Sequence, residues 1–292
     1  MQATLTRPQV GTSGMVAVMH FSKTCQQRIQ RFVLGLILSL GLAGPAHTHD
    51  FWIEPTDFWP ATGDRVPLLL RVGQDLTGER LPYMAEWFTD YSVVAPDGAR
   101  PVTGVSGDDP AGYFDALQSG MHVVGYHSNR DFVELGAEKF RDYLQDEGLD
   151  QIVELRAARG ESELPAREYY SRCAKSLLVA GDGIPETAFG AELGYTLELV
   201  PERNPNALQP GETLPLRLLY LGEGIPGVLV QAFSAATPER RFQARTDASG
   251  RVSIPITERG LWLIKAVHMI EVRSPVERAD WESFWASLTF RL

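Results

Sequence analysis

The sequence predicts a mainly β protein: two Ig-like β-sandwich domains, with a helical hairpin inserted in or after the first. Three observations carry that expectation. Short apolar or β-branched runs recur between clusters of Gly, Pro, Asp and Asn over most of the chain after Asp50. One stretch, residues 136–160, changes instead to the period of an amphipathic helix. Of the two cysteines, Cys25 lies in an apolar leader and Cys173 stands alone, so the fold must be held by packing and not by an internal disulfide.

The leader comes first. Lys23, Arg28 and Arg31 precede the uncharged run FVLGLILSLGL (residues 32–42), and Gly44-Pro45-Ala46 supplies small residues where a signal peptidase reads. Residues 1–46 are therefore expected to be a secretory signal peptide, with Met15 or Met19 as alternative starts. The run is too short for the roughly 20 residues of a membrane-spanning helix, so no membrane insertion is expected after cleavage and the periplasm is the expected compartment. A cut after Ala46 gives a chain beginning His47-Thr48-His49, whereas a cut after Ala43 leaves three residues ahead of the histidines.

Within the first domain, residues 47–190, strands are expected at RVPLLLRV (65–72), EWFTDYSVVAP (86–96) and GMHVVGYHS (120–128), separated by the turns Pro96-Asp97-Gly98 and Gly107-Asp108-Asp109-Pro110. In the helical stretch, Phe140, Tyr143 and Leu144 fall at i, i+3 and i+4, as do Ile152, Leu155 and Arg156, and Gly148 is placed to end the first helix. REYYSRCAKSLLVAG (167–181) fits neither period, and only Ser176 to Ala180 reads as strand. A Gly-rich passage at 182–194 marks the domain boundary. Residues 191–292 then carry seven strand signals, YTLELVP, LPLRLLYLG, GVLVQAFSA, RRFQARTD, GRVSIPI, GLWLIKAVHMI and SFWASLTFRL, which are expected to form an independent sandwich.

Charge narrows the function. The formal net charge is −10, and removing the four basic residues of the leader takes it to about −14. Such a field repels phosphate backbones, which excludes nucleic acid as a partner, and concentrates cations. A Gly-rich phosphate loop, HExxH, Gly-x-Ser-x-Gly and CxxC are all absent from the sequence. The expectation is a protein that is not an enzyme.

Two resemblances add to this. GETLPLRLLYLGEGIPGVLVQAFSA with RTDASGRVSIPITERGLWLIKAV resembles the transthyretin-like or carboxypeptidase-regulatory Ig-like sandwich, through Thr246-Asp247-Ala248-Ser249-Gly250 and Gly260. HDFWIEP (49–55), EYYSRCAKSLL (168–178), TDASGRV (246–252) and ADWESFWASLTF (279–290) resemble an uncharacterised bacterial periplasmic family carrying a domain of unknown function and described as NikM-like. That second resemblance implies a nickel or cobalt uptake component, here a soluble partner of a membrane metal transporter or an outer-membrane receptor.

The residues offer matching chemistry. A free α-amine, two deprotonated amides and the imidazole of a third-position histidine form a square plane of nitrogens suited to Cu(II) or Ni(II); Thr48 and His49 meet the requirement for non-proline residues. Alternatively, the amine and ring of His47 chelate with a histidine from elsewhere. In LWLIKAVHM, Lys265 marks the wetter face, which puts His268 inward, either as a core histidine or as a ligand held by Asp280 or Glu282. The candidate metal set is thus His47, His49, His268, Asp280 and Glu282, with nickel or cobalt as the ion and copper or zinc as options. His122 and His127, five apart in one strand, point to opposite faces and cannot share an ion. Cys173 is expected to be inert, and the aromatic group Phe51, Trp52, Phe58, Trp59, Trp262, Trp281 and Trp285 to be packing. Two other readings stay open: a binding or adhesion module with incidental histidines, and a copper oxidase built on a histidine brace.

Overall fold

The computed structural model describes residues 49–182, 188–274 and 276–292. The expected signal peptide, His47 and Thr48 lie outside them. Strands make up 50% and helices 11%, so the mainly β class with Ig-like sandwich packing holds.

The organising element is a nine-stranded sheet in the order β14-β13-β16-β17-β9-β7-β4-β5, with β8 also on the β9 edge. Its members are β4 (Phe88–Ala95), β5 (Gly98–Pro101), β7 (Gly120–Ser128), β8 (Asp131–Leu135), β9 (Ala166–Ala180), β13 (Leu229–Ser234), β14 (Phe242–Arg245), β16 (Leu261–Glu271) and β17 (Trp281–Arg291). Two smaller sheets cover it. On one face lie β1 (Asp50–Pro55), β2 (Arg65–Gln74) and β3 (Thr77–Leu81), with β6 (Tyr113–Asp115) on β2. The other face carries β10 (Leu197–Pro201), β11 (Thr213–Tyr220) and β12 (Glu223–Gly224), with β15 (Arg251–Pro255) on β11.

Alternation along β16 shows how the layers are fed. Trp262, Ile264 and Ala266 enter the cluster that contains Leu197, Leu199, Leu216 and Leu218 of the β10-β11 sheet. Leu263 faces the opposite way and packs with Trp52 and Phe233, while Val267 and Met269 meet the helical hairpin. That hairpin, α1 (Ala137–Asp146) and α2 (Asp150–Ala158), buries Phe140, Tyr143, Leu144 and Ile152 where the periodicity placed them.

The continuous sheet changes the expected domain organisation. β17 pairs in parallel with β9 from Trp281↔Glu168 to Thr289↔Ser176, joining the segments on either side of residue 190 within one sheet. Met121, Val123, Cys173, Leu177 and Val179 of the first segment lie in the same cluster as the β10-β11 residues. The described residues, from His49 to Leu292, accordingly form one compact unit. β9 is also longer than the expected 176–180. Its middle is covered on both faces, so its residues are apolar or paired without the alternation that reveals a half-buried strand. One such pair is buried Lys175, whose Nζ reaches Glu198 Oε1 of β10 at 2.9 Å and the Ala191 carbonyl at 2.8 Å.

The Thr246-Asp247-Ala248-Ser249-Gly250 hairpin has a local cause. Asp247 Oδ1 accepts from the Ser249 and Arg251 N–H groups, and Gly250 sits at φ 78°, where an added Cβ would lie 2.7 Å from the Gly224 Cα.

Candidate functional site

β16 carries the two polar side chains around which sites are built, and they face opposite ways. The first is Lys265. The single cation in an apolar strand suggested a wet face, yet the residue is buried, and the reason is charge pairing. Its Nζ lies 2.6 Å from Asp50 Oδ1 at the start of β1 and 2.8 Å from Glu147 Oε1 just after α1. Burial alone would push the ammonium pKa down; Glu147 and Asp50 outweigh it and hold the group above the usual lysine value. Gln231 Nε2 donates to Glu147 Oε2 at 3.3 Å and to the Asp146 carbonyl at 3.0 Å, and Gln243 Nε2 donates to Gln231 Oε1 at 3.2 Å.

This network floors a cleft of about 520 Å³. Asp50, Asp75, Asp146, Glu147 and Glu239 line it against Arg241 and Lys265, an excess of acid. Arg241 is itself engaged, pairing with Asp75 and stacking over Phe233 at 4.2 Å. His49 is exposed and directly precedes Asp50; its carbonyl accepts from Arg172 Nη1 at 3.0 Å.

The second side chain is His268, which faces inward as expected. Its ring meets Tyr220 edge-on at 4.7 Å between centroids. Desolvation lowers its pKa to about 4, so the imidazole is neutral at pH 7. Nδ1 is sealed from solvent without a hydrogen-bond partner.

The expected metal set does not assemble around these residues. β1 lies on the Lys265 face, and Lys265 and His268 are three apart in a strand, so His49 and His268 are separated by the sheet itself. Asp280 is bound by Arg167, with Nη2 to Oδ1 at 2.6 Å and Nε to Oδ2 at 3.0 Å, and Arg130 lies 3.6 Å from Glu282. Neither holds the His268 ring. A metal-bound imidazole normally donates its other N–H to an acceptor, and Nδ1 here has none. Among the described residues no group of three His, Cys, Asp or Glu side chains is placed to hold an ion. His47 lies outside those residues.

Other candidates fall where the sequence put them. His122 is buried, with Nδ1 3.0 Å from the Gly120 carbonyl, and faces Phe114; His127 lies on the opposite face against Tyr195. Burial pushes the Cys173 thiol up to about 12, which keeps it from ionising. Of the aromatic group, Trp59 alone is widely exposed, at 47%.

Residues 46–270 match a family described as a domain of unknown function, DUF4198. The chain belongs to the DUF4198 family. No curated protein matches the sequence. Among solved structures, the D0-D1 domain of intimin matches at 10% identity over 83% of this chain and 98% of that one, with a TM-score of 0.19. Dimeric latent PorU from Porphyromonas gingivalis matches at 11% identity over 86% of this chain and 21% of that one, with a TM-score of 0.20. At those scores neither likeness carries an argument about this DUF4198 chain.

The sequence alone does not single out Asp50 and Glu147, and strand alternation puts Lys265 toward water, whereas the structure buries all three together. The available signal was the isolation of one lysine in LWLIKAVHM: a lone cation between apolar neighbours on both sides is a mark of a buried ion pair as much as of a wet face.

Proposed function

We propose that this protein is an exported, non-catalytic binding protein that captures a small cation at the cleft above Lys265, with a divalent transition-metal ion as the first ligand to test. The observation that carries the reading is the surplus of carboxylates over cations in one cleft at the start of β1. It lies directly beside His49, in a chain whose formal charge is −10. A negative cleft on a negative protein concentrates cations and speeds their capture. Nickel, cobalt or copper would draw on His49 and His47 as nitrogen donors, with a cleft carboxylate completing the set. An organic polyamine would use the carboxylates alone.

Calorimetric titration of the mature chain with NiCl2, CoCl2, CuCl2 and, separately, spermidine tests this. Glu147→Gln is expected to weaken every cation that binds, and His49→Ala to weaken the metals while leaving spermidine unchanged. Absence of binding by both metals and spermidine at millimolar concentration refutes capture in the cleft and leaves a protein-binding or adhesion role in its place.

A further inference from the structure

Lys265, Asp50 and Glu147 bring a nucleophile, an electrophile and a proton carrier into contact. The three residues are only 6%, 4% and 3% exposed. One amine meets two carboxylates, with Nζ 2.6 Å from Asp50 Oδ1 and 2.8 Å from Glu147 Oε1. A plain ion pair needs one carboxylate; a second adds a buried charge and its desolvation cost. Each group is also held in place. Asp50 shares a face of β1 with Trp52, and Lys265 a face of β16 with Leu263; Trp52, Leu263 and Phe233 pack together, fully buried. Glu147 caps the C-terminal end of α1, and its Oε2 accepts from Gln231, which Gln243 holds in turn. An amine within hydrogen-bond reach of a carboxylate oxygen is already about 3 to 3.5 Å from the carboxyl carbon, the near-attack range, and groups so oriented react as if at about 10⁵ to 10⁸ M.

We propose that Lys265 and Asp50 are a modification site, at which the two side chains condense to an intramolecular isopeptide bond with Glu147 carrying the protons. The ammonium first yields a proton to the Asp50 carboxylate, leaving an amine beside a neutral carboxyl. The nitrogen lone pair then attacks Asp50 Cγ and the carbonyl electron pair moves to oxygen, while Glu147 Oε1 takes a second proton from nitrogen. Glu147 returns that proton to the departing hydroxyl, the C–O bond breaks, the carbonyl re-forms and one water leaves through the adjoining cleft. An ammonium and a carboxylate are replaced by a neutral amide. Nothing is oxidised or reduced, and Glu147 ends as it began.

Condensation removes two charges from a buried place, and with them their desolvation cost. It ties the first strand of the small sheet to the central sheet across 215 residues of chain. Because the two carboxylates favour the charged amine, conversion is slow. The freshly folded chain carries the ion pair, so its thermal stability reports that pair, and the amide accumulates with age. Lys175 shows what an inert pair lacks. It too is buried, 2.9 Å from Glu198 Oε1, but Glu198 also accepts from the Leu193 and Gly194 N–H groups, which stabilise its charged form. Among the described residues no second carboxylate lies within hydrogen-bond reach of its Nζ, so it is expected to remain an ion pair. The amide takes away one cation and one anion together, leaving the acid excess of the cleft unchanged, so isopeptide formation and cation capture stand or fall separately.

The test is mass spectrometry of the full mature chain, denatured after purification and again after prolonged incubation at growth temperature. The expected mass falls about 18 Da below that of the sequence, one water per chain. A tryptic map is expected to show the peptide containing Asp50 joined to the one containing Lys265, where trypsin no longer cuts. Lys265→Arg keeps a cation between the carboxylates without a nucleophilic amine and is expected to retain its full mass. Glu147→Gln keeps the volume and loses the proton carrier; it is expected to convert about a hundredfold more slowly, the scale of general acid–base catalysis. Circular dichroism checks that both variants fold. The proposal is overturned if the wild type keeps its full mass after incubation, or if the missing water maps to Asp50 alone, as a succinimide with no linked peptide. It is equally overturned if the link joins Lys175 to Glu198 instead, or if folded Glu147→Gln converts at the wild-type rate.

Discussion

Replacing Lys265 by alanine removes the one cation between Asp50 and Glu147 and leaves two carboxylates buried together. Both ammonium contacts are short, 2.6 and 2.8 Å, and all three groups are buried. At an effective dielectric of about 20, a unit pair at that separation interacts by roughly 6 kcal/mol, and much of this is offset by desolvation. Breaking a buried pair by removing one partner typically costs about 3 to 5 kcal/mol, and two orphaned carboxylates put this case near the upper end. For a domain of this size each kcal/mol lowers Tm by about 2 to 4 °C, so a fall on the order of 10 to 15 °C is expected by thermal denaturation followed by circular dichroism at pH 7. The neutral triple variant Asp50→Asn, Glu147→Gln, Lys265→Met keeps similar volumes without a buried charge and is expected to recover most of the loss. A Tm for Lys265→Ala within about 2 °C of the wild type would refute the reasoning, because a shift that small corresponds to less than about 1 kcal/mol. So would a triple variant no more stable than the single one.

Three further outcomes are expected. Desolvation raises buried Glu168 to about 7, against which Ser283, Tyr143 and Arg172 act only in part, so its stabilising contribution is full below about 4.5 and is lost as pH rises through 7. His268, lowered to about 4, contributes stability that is full above about 6.5 and is lost as pH falls through 4, so the two slopes, each on the order of 3 kcal/mol, oppose one another across the shared window. Glu168→Gln should therefore become more stable as pH rises from 4 to 6.5, and His268→Phe less stable from 4.5 to 7, in urea denaturation series; parallel profiles for the two variants would contradict the assignment. Residues 195–292 expressed alone are expected to lack a cooperative β transition, since β17 loses β9 and the shared cluster loses Met121, Val123, Leu177 and Val179; a cooperative melt by circular dichroism would show that the second segment holds its own core. Mass spectrometry of the exported protein is expected to find His47 at the amino terminus, and Gly44 there would remove the amine chelate while leaving side-chain coordination by His49.

The sequence by itself determined what depends on neighbours along the chain. The turns at Pro96-Asp97-Gly98 and Asp247 to Gly250 follow from residues that accept unusual dihedrals, and the hairpin of α1 and α2 follows from a 3.6-residue period that only one buried face can satisfy. The inward direction of His268 and the opposed faces of His122 and His127 follow from the two-residue repeat of a strand, which needs no tertiary information. Partnership across the sheet was decided only by the tertiary structure. β9 and β17 pair at a sequence separation of 113 residues and join two segments that read as separate domains, because strand pairing is a property of backbone hydrogen bonds, which carry no side-chain signature. For the same reason Lys265 read as wet. Its partners lie 215 and 118 residues away, and a buried cation is distinguished from an exposed one only by the carboxylates that folding brings to it. The separation of His49 from His268 has the same origin: each residue's face was legible, but which layer would cover that face was fixed by the packing of β1 on one side of the central sheet and β11 on the other.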